Sequence, residues 1–436
     1  MEQWSSGMGA HPGSSGDETD RRTFLKQGAA LSTAIALGPL AAAAPVHAAG
    51  SDTIRVGLIG CGGRGRGAAE NCVRSSEGVE LVAIGDLFAD RLEDGRRHLS
   101  ERLGDAWKVT GDRLYSGFDA YRRICALDDV DLVILTTPPV FRPIHFEEAI
   151  ARGKHVFMEK PVAVDPTGVR QVIEASRLAK RKRLAVVAGT QRRHQASYLA
   201  TMERIHDGAI GELVGGFCYW NQGGLWVHDR KAEYSDIEWQ LRNWLYFTWT
   251  SGDRIVEQHV HNIDVMNWAF GGPPTKAMGM GGRQVRTEEK YGNIFDHFAI
   301  EYEYGDGVRV TSQCRQIDGC AGRVGEQLVG TKGTSDAHRT ISGEGRWRFE
   351  GQERNPYEQE HADLIASIRG NEPLAEGERI AESTLTAIMG RMSAYTGKTI
   401  TWEQALESNL DLLPKSWAFG PNPVAEVAVP GRTPLL

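Results

Sequence analysis

Residues 54–65 read Ile54-Arg55-Val56-Gly57-Leu58-Ile59-Gly60-Cys61-Gly62-Gly63-Arg64-Gly65. The first six residues of this stretch have the pattern of a short buried strand, and a glycine-rich run follows at once. The spacing is GxGxxG: Gly60 permits a tight turn, Gly62 lets a phosphate group approach the backbone, and Gly65 lets the next helix pack closely. The amides at the start of that helix favour negative charge. The stretch therefore predicts a dinucleotide-binding turn.

An acidic residue follows at the distance that such a turn requires. A second predicted strand, Val79 to Gly85, ends at Asp86. A carboxylate there accepts hydrogen bonds from the adenosine ribose hydroxyls, and its charge repels a 2′-phosphate. We therefore expect NAD rather than NADP as cofactor. The residues predicted to bind it are Gly60, Gly62, Gly63, Arg64, Gly65 and Asp86.

The pattern of predicted elements divides the chain into two domains and a tail. Strands alternate with helices over residues 52–190, which predicts a doubly wound parallel sheet of the Rossmann type with its ligand at the carboxyl ends of the strands. Strands separated by turns follow, and they predict an α+β domain at 191–402 with an open-faced, mainly antiparallel sheet. This second domain is expected to bind substrate and to form oligomers. Residues 403–436 form a Pro-rich tail.

The N-terminus has the pattern of an export signal. Arg21-Arg22-Thr23-Phe24-Leu25-Lys26 precedes an apolar run, and Ala48 is the expected cleavage site. The paired arginines resemble a twin-arginine signal, with Asp20 where Ser or Thr is usual. We predict a signal peptide over 1–48, a periplasmic or otherwise exported protein, and no membrane contact after cleavage. The six cysteines have no metal-binding spacing and are expected to be free and mostly buried.

Charge and aromatic residues indicate the kind of partner. The chain has 57 Asp and Glu against 50 Lys and Arg, which argues against a nucleic-acid partner. Six of its 11 tryptophans lie between Trp220 and Trp268. Aromatic rings beside polar groups suit the C–H faces of sugars. We therefore expect a small sugar, polyol or glycoside, with Trp226 contacting it and Arg193 binding one of its hydroxyls.

A second motif carries a family resemblance. The segment from Gly153 to Pro161, which ends in Glu159-Lys160-Pro161, resembles the Gfo/Idh/MocA oxidoreductases, named for glucose–fructose oxidoreductase and inositol dehydrogenase. Thr137-Pro138, the segment 208–213 and the segment 396–400 extend the resemblance over nearly all of the chain after residue 48. It implies that Thr137, Pro138, Glu159 and Lys160 bind the cofactor. It also implies that Lys160 contacts the reacting hydroxyl, where its charge stabilises a developing alkoxide.

The segment 252–264 carries the proposed acid–base group. Glu257, His261 and Asp264 match the family spacing of an acid, a histidine and a further acid, although Glu257 stands where Asp is usual. Positions i, i+4 and i+7 of one helix share a face, so both carboxylates are expected to flank the imidazole. His261 would accept the hydroxyl proton, Glu257 would orient it, and Asp264 would contact substrate. His259 replaces a small residue and is expected to reshape the sugar pocket.

Several alternatives stay open at the level of sequence. If this segment formed a strand, Glu257, His259 and His261 would lie on one side of it and could bind a metal ion. The family resemblance implies a helix here instead, so we predict no metal site. A loop lengthened at Arg142 could bring that residue to the substrate or the cofactor.

The main functional prediction is an NAD-dependent oxidoreductase that acts on CH–OH groups of a sugar or polyol with a tightly held cofactor. The alternatives are a redox-neutral, NAD-dependent glycoside hydrolase and a non-catalytic sugar-binding protein, and the presence of Lys160 and His261 disfavours the latter. The flat face of the second sheet predicts a homodimer or homotetramer.

Overall fold

A computed structural model describes residues 52–435, and the predicted export signal at 1–48 lies outside this range. Within the described range no helix is long and apolar enough to cross a bilayer. All six cysteines are free, as predicted, and Cys320 is exposed while the other five are buried.

The first sheet has six parallel strands in the order β3-β2-β1-β4-β5-β6. Its strands are almost wholly apolar because helices cover both faces. The strands are β1 (Ile54–Ile59), β2 (Val79–Asp86), β3 (Leu114–Ser116), β4 (Leu132–Leu135), β5 (His155–Met158) and β6 (Val186–Ala188). The helices between them are α1 (Gly63–Ser75), α2 (Ala89–Leu103), α3 (Ala120–Cys125), α4 (Arg142–Ala151) and α5 (Pro166–Lys182). The strand order reverses at β1, so the ligand crevice lies at the carboxyl ends of β1 and β4. The predicted doubly wound sheet is confirmed.

The second sheet has nine strands in the order β14-β13-β12-β11-β7-β10-β9-β8-β15. They are β7 (Leu213–Gln222), β8 (Lys276–Gly282), β9 (His297–Glu303), β10 (Arg309–Gln316), β11 (Arg323–Gly330), β12 (Gly333–Ser335), β13 (Thr340–Gly343), β14 (Trp347–Arg348) and β15 (Ile400–Thr401). Neighbouring strands are antiparallel except β7 and β10, which run parallel. The sheet is therefore mainly antiparallel, as predicted.

Helices cover one face of this sheet, and the other face stays open. The helices of this part of the chain are α6 (Ala196–His206), α7 (Asp236–Arg242), α8 (Thr248–Ser251), α9 (Arg254–Glu257), α10 (Val260–Phe270), α11 (Pro356–Arg369), α12 (Gly377–Thr396) and α13 (Trp402–Glu407). On β10 the buried residues alternate with less buried ones, which is the pattern of a sheet covered on one face. On the open face Phe217, Met278 and Met280 are exposed.

Two late segments of the chain return to the first sheet. Leu364 and Ile365 of α11 belong to the same apolar cluster as Leu58 of β1, so this helix completes the core of the first domain. Residues 406–422, which we call the strap, lie along the first domain, where Leu412 and Trp417 pack against the aromatic cluster of Phe88 and Phe141. The tail thus lies on the body of its own chain.

Candidate active site

The glycine turn has the close contacts that its spacing predicts. Gly60 has a φ of +105°, a left-handed conformation that favours glycine. A Cβ on Gly65 would lie 1.8 Å from the Gly60 carbonyl oxygen, so α1 packs against β1 only because this side chain is absent. A Cβ on Gly62 would meet no atom within 4 Å, because this position faces the open crevice. The turn therefore leaves its backbone accessible to a phosphate group.

The turn forms one wall of a cavity of about 510 Å³. Asp86 lies on the same wall, and its carboxylate accepts hydrogen bonds from the backbone amides of Cys61 (2.7 Å) and Phe88 (2.9 Å). Burial raises the pKa of Asp86, while these hydrogen bonds oppose that effect. Thr137 and Pro138 line the cavity as well. Because both Asp86 oxygens keep lone pairs for ribose hydroxyls and the glycines leave room for phosphates, these residues fit a bound dinucleotide.

Arg64 and Glu159 form an ion pair with each other. Arg64 also donates to Glu360 (3.2 Å) and lies over the ring of Tyr357. Arg64 lines the cavity, whereas its partner Glu159 lies at the end of β5 behind it. Arg64 and Glu159 were both predicted to contact the cofactor, but of these two residues the structure places only Arg64 in the cavity wall.

Lys160 contacts Glu257 across the domain boundary. Its Nζ donates to the Glu257 backbone oxygen (2.6 Å) and to Oε1 (3.2 Å), and both side chains are about 10% exposed. The prediction that Glu257 orients His261 is wrong in this structure, because Glu257 is bonded to Lys160. The reason is local: α9 ends at Glu257 and α10 begins at Val260, so the spacing does not fall on one continuous helix.

His261 lies beside this pair with a neutral ring. Burial lowers its pKa well below 6.5, and the positive charges of Lys160 and Arg192 lower it further. Trp220 stacks on the imidazole with 5.7 Å between ring centroids. The Nδ1 atom is buried and has no hydrogen-bond partner among the described residues. A neutral, unpaired imidazole beside an ammonium group is able to accept a proton from a bound hydroxyl.

Arg193 and Asp264 do not have the predicted substrate contacts. Asp264 is buried and accepts from Arg193 (2.8 Å), Arg379 (3.0 Å) and Ser383 (2.8 Å). Burial would raise the pKa of Asp264, but the two guanidinium groups outweigh it and hold the pKa well below its usual range. These groups form an ion-pair network inside the second domain, so they are bound to each other rather than directed at substrate.

His259 also lies away from the crevice. It is fully buried, and its Nε2 lies 2.7 Å from the Ser312 hydroxyl on β10. Burial lowers the pKa of His259 to about 3. It therefore does not shape the substrate pocket, because it points into the sheet. The metal interpretation needed a strand here, whereas the segment is helical, and across residues 52–435 no group of three His, Cys, Asp or Glu side chains is arranged to hold an ion.

Trp226 and Arg142 have different surroundings from those predicted. Trp226 lines the cavity beside Asp86, on the adenosine side, rather than a sugar site at Lys160. Arg142 is buried and donates to the backbone oxygens of Thr137 (2.6 Å) and Glu159 (2.9 Å). It therefore joins the two loops that follow β4 and β5, and it is too enclosed to reach substrate.

The structure brings two other residues to His261. Arg192 lies over the Trp220 ring, 5.7 Å from its centroid, and pairs with the buried Glu326. Trp220 donates from Nε1 to Gln222 (2.5 Å). The sequence had instead predicted Arg193 and Trp226 as the substrate contacts. The alternation of β7 contained a signal for Trp220, since it shares the covered face of the strand with the buried Cys218.

A dinucleotide turn after β1, a nearly buried lysine just past the end of β5 and a histidine from the second domain define the class of an NAD-binding oxidoreductase. Two family models match the chain: the oxidoreductase family with an NAD-binding Rossmann fold over residues 54–190, and the GFO/IDH/MocA C-terminal domain over residues 198–336. The chain belongs to the Gfo/Idh/MocA oxidoreductase family. The predicted cofactor NAD, the enzyme class and the two-domain fold are confirmed.

Individual relatives differ in what they do. The chain is 28% identical to an inositol 2-dehydrogenase from Rubrobacter xylanophilus over 65% of this chain and 71% of that protein. It is 30% identical to a glycosyl hydrolase family 109 protein from Streptomyces coelicolor, but over 42% of this chain and only 36% of that protein. The solved aldose–aldose oxidoreductase from Caulobacter crescentus shares the fold with a TM-score of 0.64 and 18% identity, covering 80% of this chain and 99% of that one.

Proposed function

We propose that this NAD-dependent oxidoreductase oxidises a carbinol of a cyclic polyol or sugar, with Lys160, His261 and Glu257 at the reaction centre. The observation that carries the proposal is the contact of Lys160 with Glu257 beside the neutral His261. The matched inositol dehydrogenase supports the substrate class. Trp220, stacked on His261, offers an apolar face for the C–H side of a ring.

Each group has a distinct task in this proposal. NAD, held by the glycine turn and Asp86, supplies the two-electron acceptor. The Lys160 ammonium donates a hydrogen bond to the substrate oxygen and stabilises its negative charge as the O–H bond breaks. His261 accepts the hydroxyl proton on its neutral ring. Glu257 acts on Lys160: its carboxylate and backbone oxygen hold the ammonium in place.

The test uses the purified protein with bound NAD and a panel of polyols and sugars, followed by absorbance at 340 nm. Lys160→Met should lower the rate at least about 100-fold. Lys180→Met is the control, since Lys180 is exposed and paired with Glu378 on the surface. Equal rates for Lys160→Met and wild type would overturn the proposal.

A second candidate is redox-neutral hydrolysis of a glycoside, which the similarity to the glycosyl hydrolase family 109 proteins favours. Transient oxidation of a ring hydroxyl would acidify the neighbouring C–H, so that elimination would release the aglycone. Addition of water and return of the hydride to the ketone would then complete the redox-neutral cycle. The protein, purified without added NAD, is mixed with aryl glycosides. Aglycone release without net absorbance at 340 nm would establish this function over the simple dehydrogenase.

We also propose that residues 1–48 direct export by the twin-arginine route, supported by Arg21-Arg22 and the apolar run after them. An exported enzyme must retain its cofactor, because the periplasm has no free NAD pool. Replacing both Arg21 and Arg22 with Lys should leave the protein in the cytoplasm on fractionation, whereas Arg97→Lys should not. Unchanged export of the double variant would contradict the proposal.

The assembly proposed for the chain is a homodimer or homotetramer built on the open face of the second sheet. Phe217, Met278 and Met280 support it, because exposed apolar side chains on a flat sheet are usual at subunit interfaces.

A further inference from the structure

A loop of the second domain forms part of the wall around the adenosine end of the crevice. Residues 223–235, which we call the cap loop, follow β7. Trp226 and His228 of this loop line the same cavity as Asp86 and Phe88. Lys160 and His261 are not among the residues that line it. The cap loop therefore faces the adenosine half of the cofactor site rather than the reaction centre.

Buried side chains hold the backbone of the cap loop in place. The Tyr246 hydroxyl donates to the Trp226 carbonyl (2.9 Å), and Trp239 donates from Nε1 to the His228 carbonyl (3.2 Å). The His228 amide donates to the side chain of Asn243, which is fully buried (2.9 Å). The positions of the two rings are thus set by the interior of the second domain.

The elements behind the loop are attached to the first domain. Arg242, at the end of α7, pairs with Asp90 at the start of α2 (2.9 Å) and lies 4.0 Å from the centre of the Phe88 ring. In the strap, Phe419 stacks on Phe88, with 5.8 Å between the ring centroids and 10° between the ring planes. The Gly420 carbonyl of the strap accepts from the amide of Ile237 in α7 (3.2 Å). These contacts hold α7, and the loop before it, against the wall that carries Asp86.

Although the backbone of the cap loop is held in place, the Trp226 residue has a large exposed surface. The residue is 41% exposed although its backbone carbonyl is hydrogen-bonded, and the Trp226 and His228 ring centroids lie 4.9 Å apart. Burial and the nearby Arg91 and Arg242 lower the pKa of His228, so its ring is a neutral aromatic. Two aromatic rings on the wall of a concave site suit a flat heteroaromatic base, because every base presents a π face for stacking.

We propose that Trp226 and His228 bind the adenine ring of NAD, so that the second domain closes over the adenosine half of the cofactor. The inference rests on the NAD cofactor but on no particular substrate. Binding by both domains makes release depend on opening of the cap loop. This arrangement would slow release of the cofactor, as the proposed export requires.

The test measures binding of two halves of the cofactor to the full protein freed of NAD. ADP-ribose contains the adenine ring, and nicotinamide mononucleotide lacks it. In titration calorimetry, Trp226→Ala should weaken ADP-ribose binding about tenfold and leave nicotinamide mononucleotide unchanged. His228→Ala should act in the same direction, and Trp226→Phe should retain most of the affinity.

Trp347→Ala is the matched control, because Trp347 lies on β14 beside Arg204 and Phe349 and does not line the cavity. The proposal is overturned if Trp226→Ala binds ADP-ribose as wild type does. It is also overturned if the loss extends equally to nicotinamide mononucleotide or to Trp347→Ala. Since binding needs no turnover, failure of this inference is distinct from failure of the proposed oxidation.

Discussion

Lys160 and Glu257 are 97 residues apart in the chain, yet they form the central contact of the proposed reaction centre. Both were predicted from their own motifs, but their pairing was not. Removing one partner of a nearly buried ion pair leaves the other charge without compensation, so the role of Glu257 is testable by a change that keeps its shape.

Glu257→Gln should slow NAD reduction by about 10- to 100-fold, because a neutral amide holds the Lys160 ammonium less firmly. Stopped-flow absorbance at 340 nm under single-turnover conditions measures this step. Glu257→Asp should recover part of the rate, and Glu288→Gln on the surface should have none of the effect. If Glu257→Gln and wild type react at the same rate, Glu257 does not act on Lys160.

At the scale of elements, the glycine turn offers a matched set of substitutions. Gly65→Ala would place a Cβ 1.8 Å from the Gly60 carbonyl oxygen, whereas a Cβ on Gly63 meets no atom within 4 Å. Gly65→Ala should therefore destabilise the protein by about 3 kcal/mol or more, and Gly63→Ala should have little effect on stability. Chemical denaturation measures the free energy of unfolding, and equal values for the two variants would contradict the assigned packing of α1.

A second element-scale prediction concerns His194, which joins the turn after β6 to α11 and α12. Burial disfavours its charged form, but its contacts with Asp363 (2.7 Å) and Glu376 (3.5 Å) outweigh that effect and raise its pKa to about 9. Because this value lies above the 6.5 of an unfolded histidine, the stabilisation is complete below about pH 6.5 and is lost as pH rises through about 9.

Deprotonation of His194 should therefore lower the free energy of unfolding by up to about 3 kcal/mol between pH 6 and pH 10. His194→Gln should lack that pH dependence, and Asp363→Asn should weaken it while retaining the histidine. His206→Gln, on an exposed residue, is the control. A pH dependence unchanged in both His194→Gln and Asp363→Asn would rule out the contact as its source.

At the scale of the whole molecule, the open face of the second sheet determines the expected assembly. Met280 is 76% exposed, and Met278 and Phe217 lie on the same face. Met280→Asp should convert an oligomer into monomers, because burying an unpaired charge in an apolar interface is unfavourable. Light scattering coupled to size-exclusion chromatography measures the mass. Val429→Asp, in the tail, should leave the mass unchanged, and equal masses for Met280→Asp and wild type would place the interface elsewhere.

Much of the architecture was predictable because its signals are local. The apolar run of β1, the glycines after it and Asp86 at the end of β2 follow one another within a short segment. Backbone sterics and strand alternation act at that range. The docking of α11 on the first sheet was not predictable, since nothing in the pattern of residues 356–369 states which apolar surface the helix covers.

The sequence by itself determined the parallel sheet and the cofactor turn, because these follow from spacing within continuous segments. Lys160 and His261 were predicted because their motifs resemble those of the family. Only the tertiary structure decided that Glu257 bonds to Lys160, that Asp264 pairs with Arg193 and Arg379, and that Trp226 faces the adenosine side. Each of these depends on which distant groups become neighbours when surfaces pack. The energy of a charge or an exposed ring is set by those neighbours.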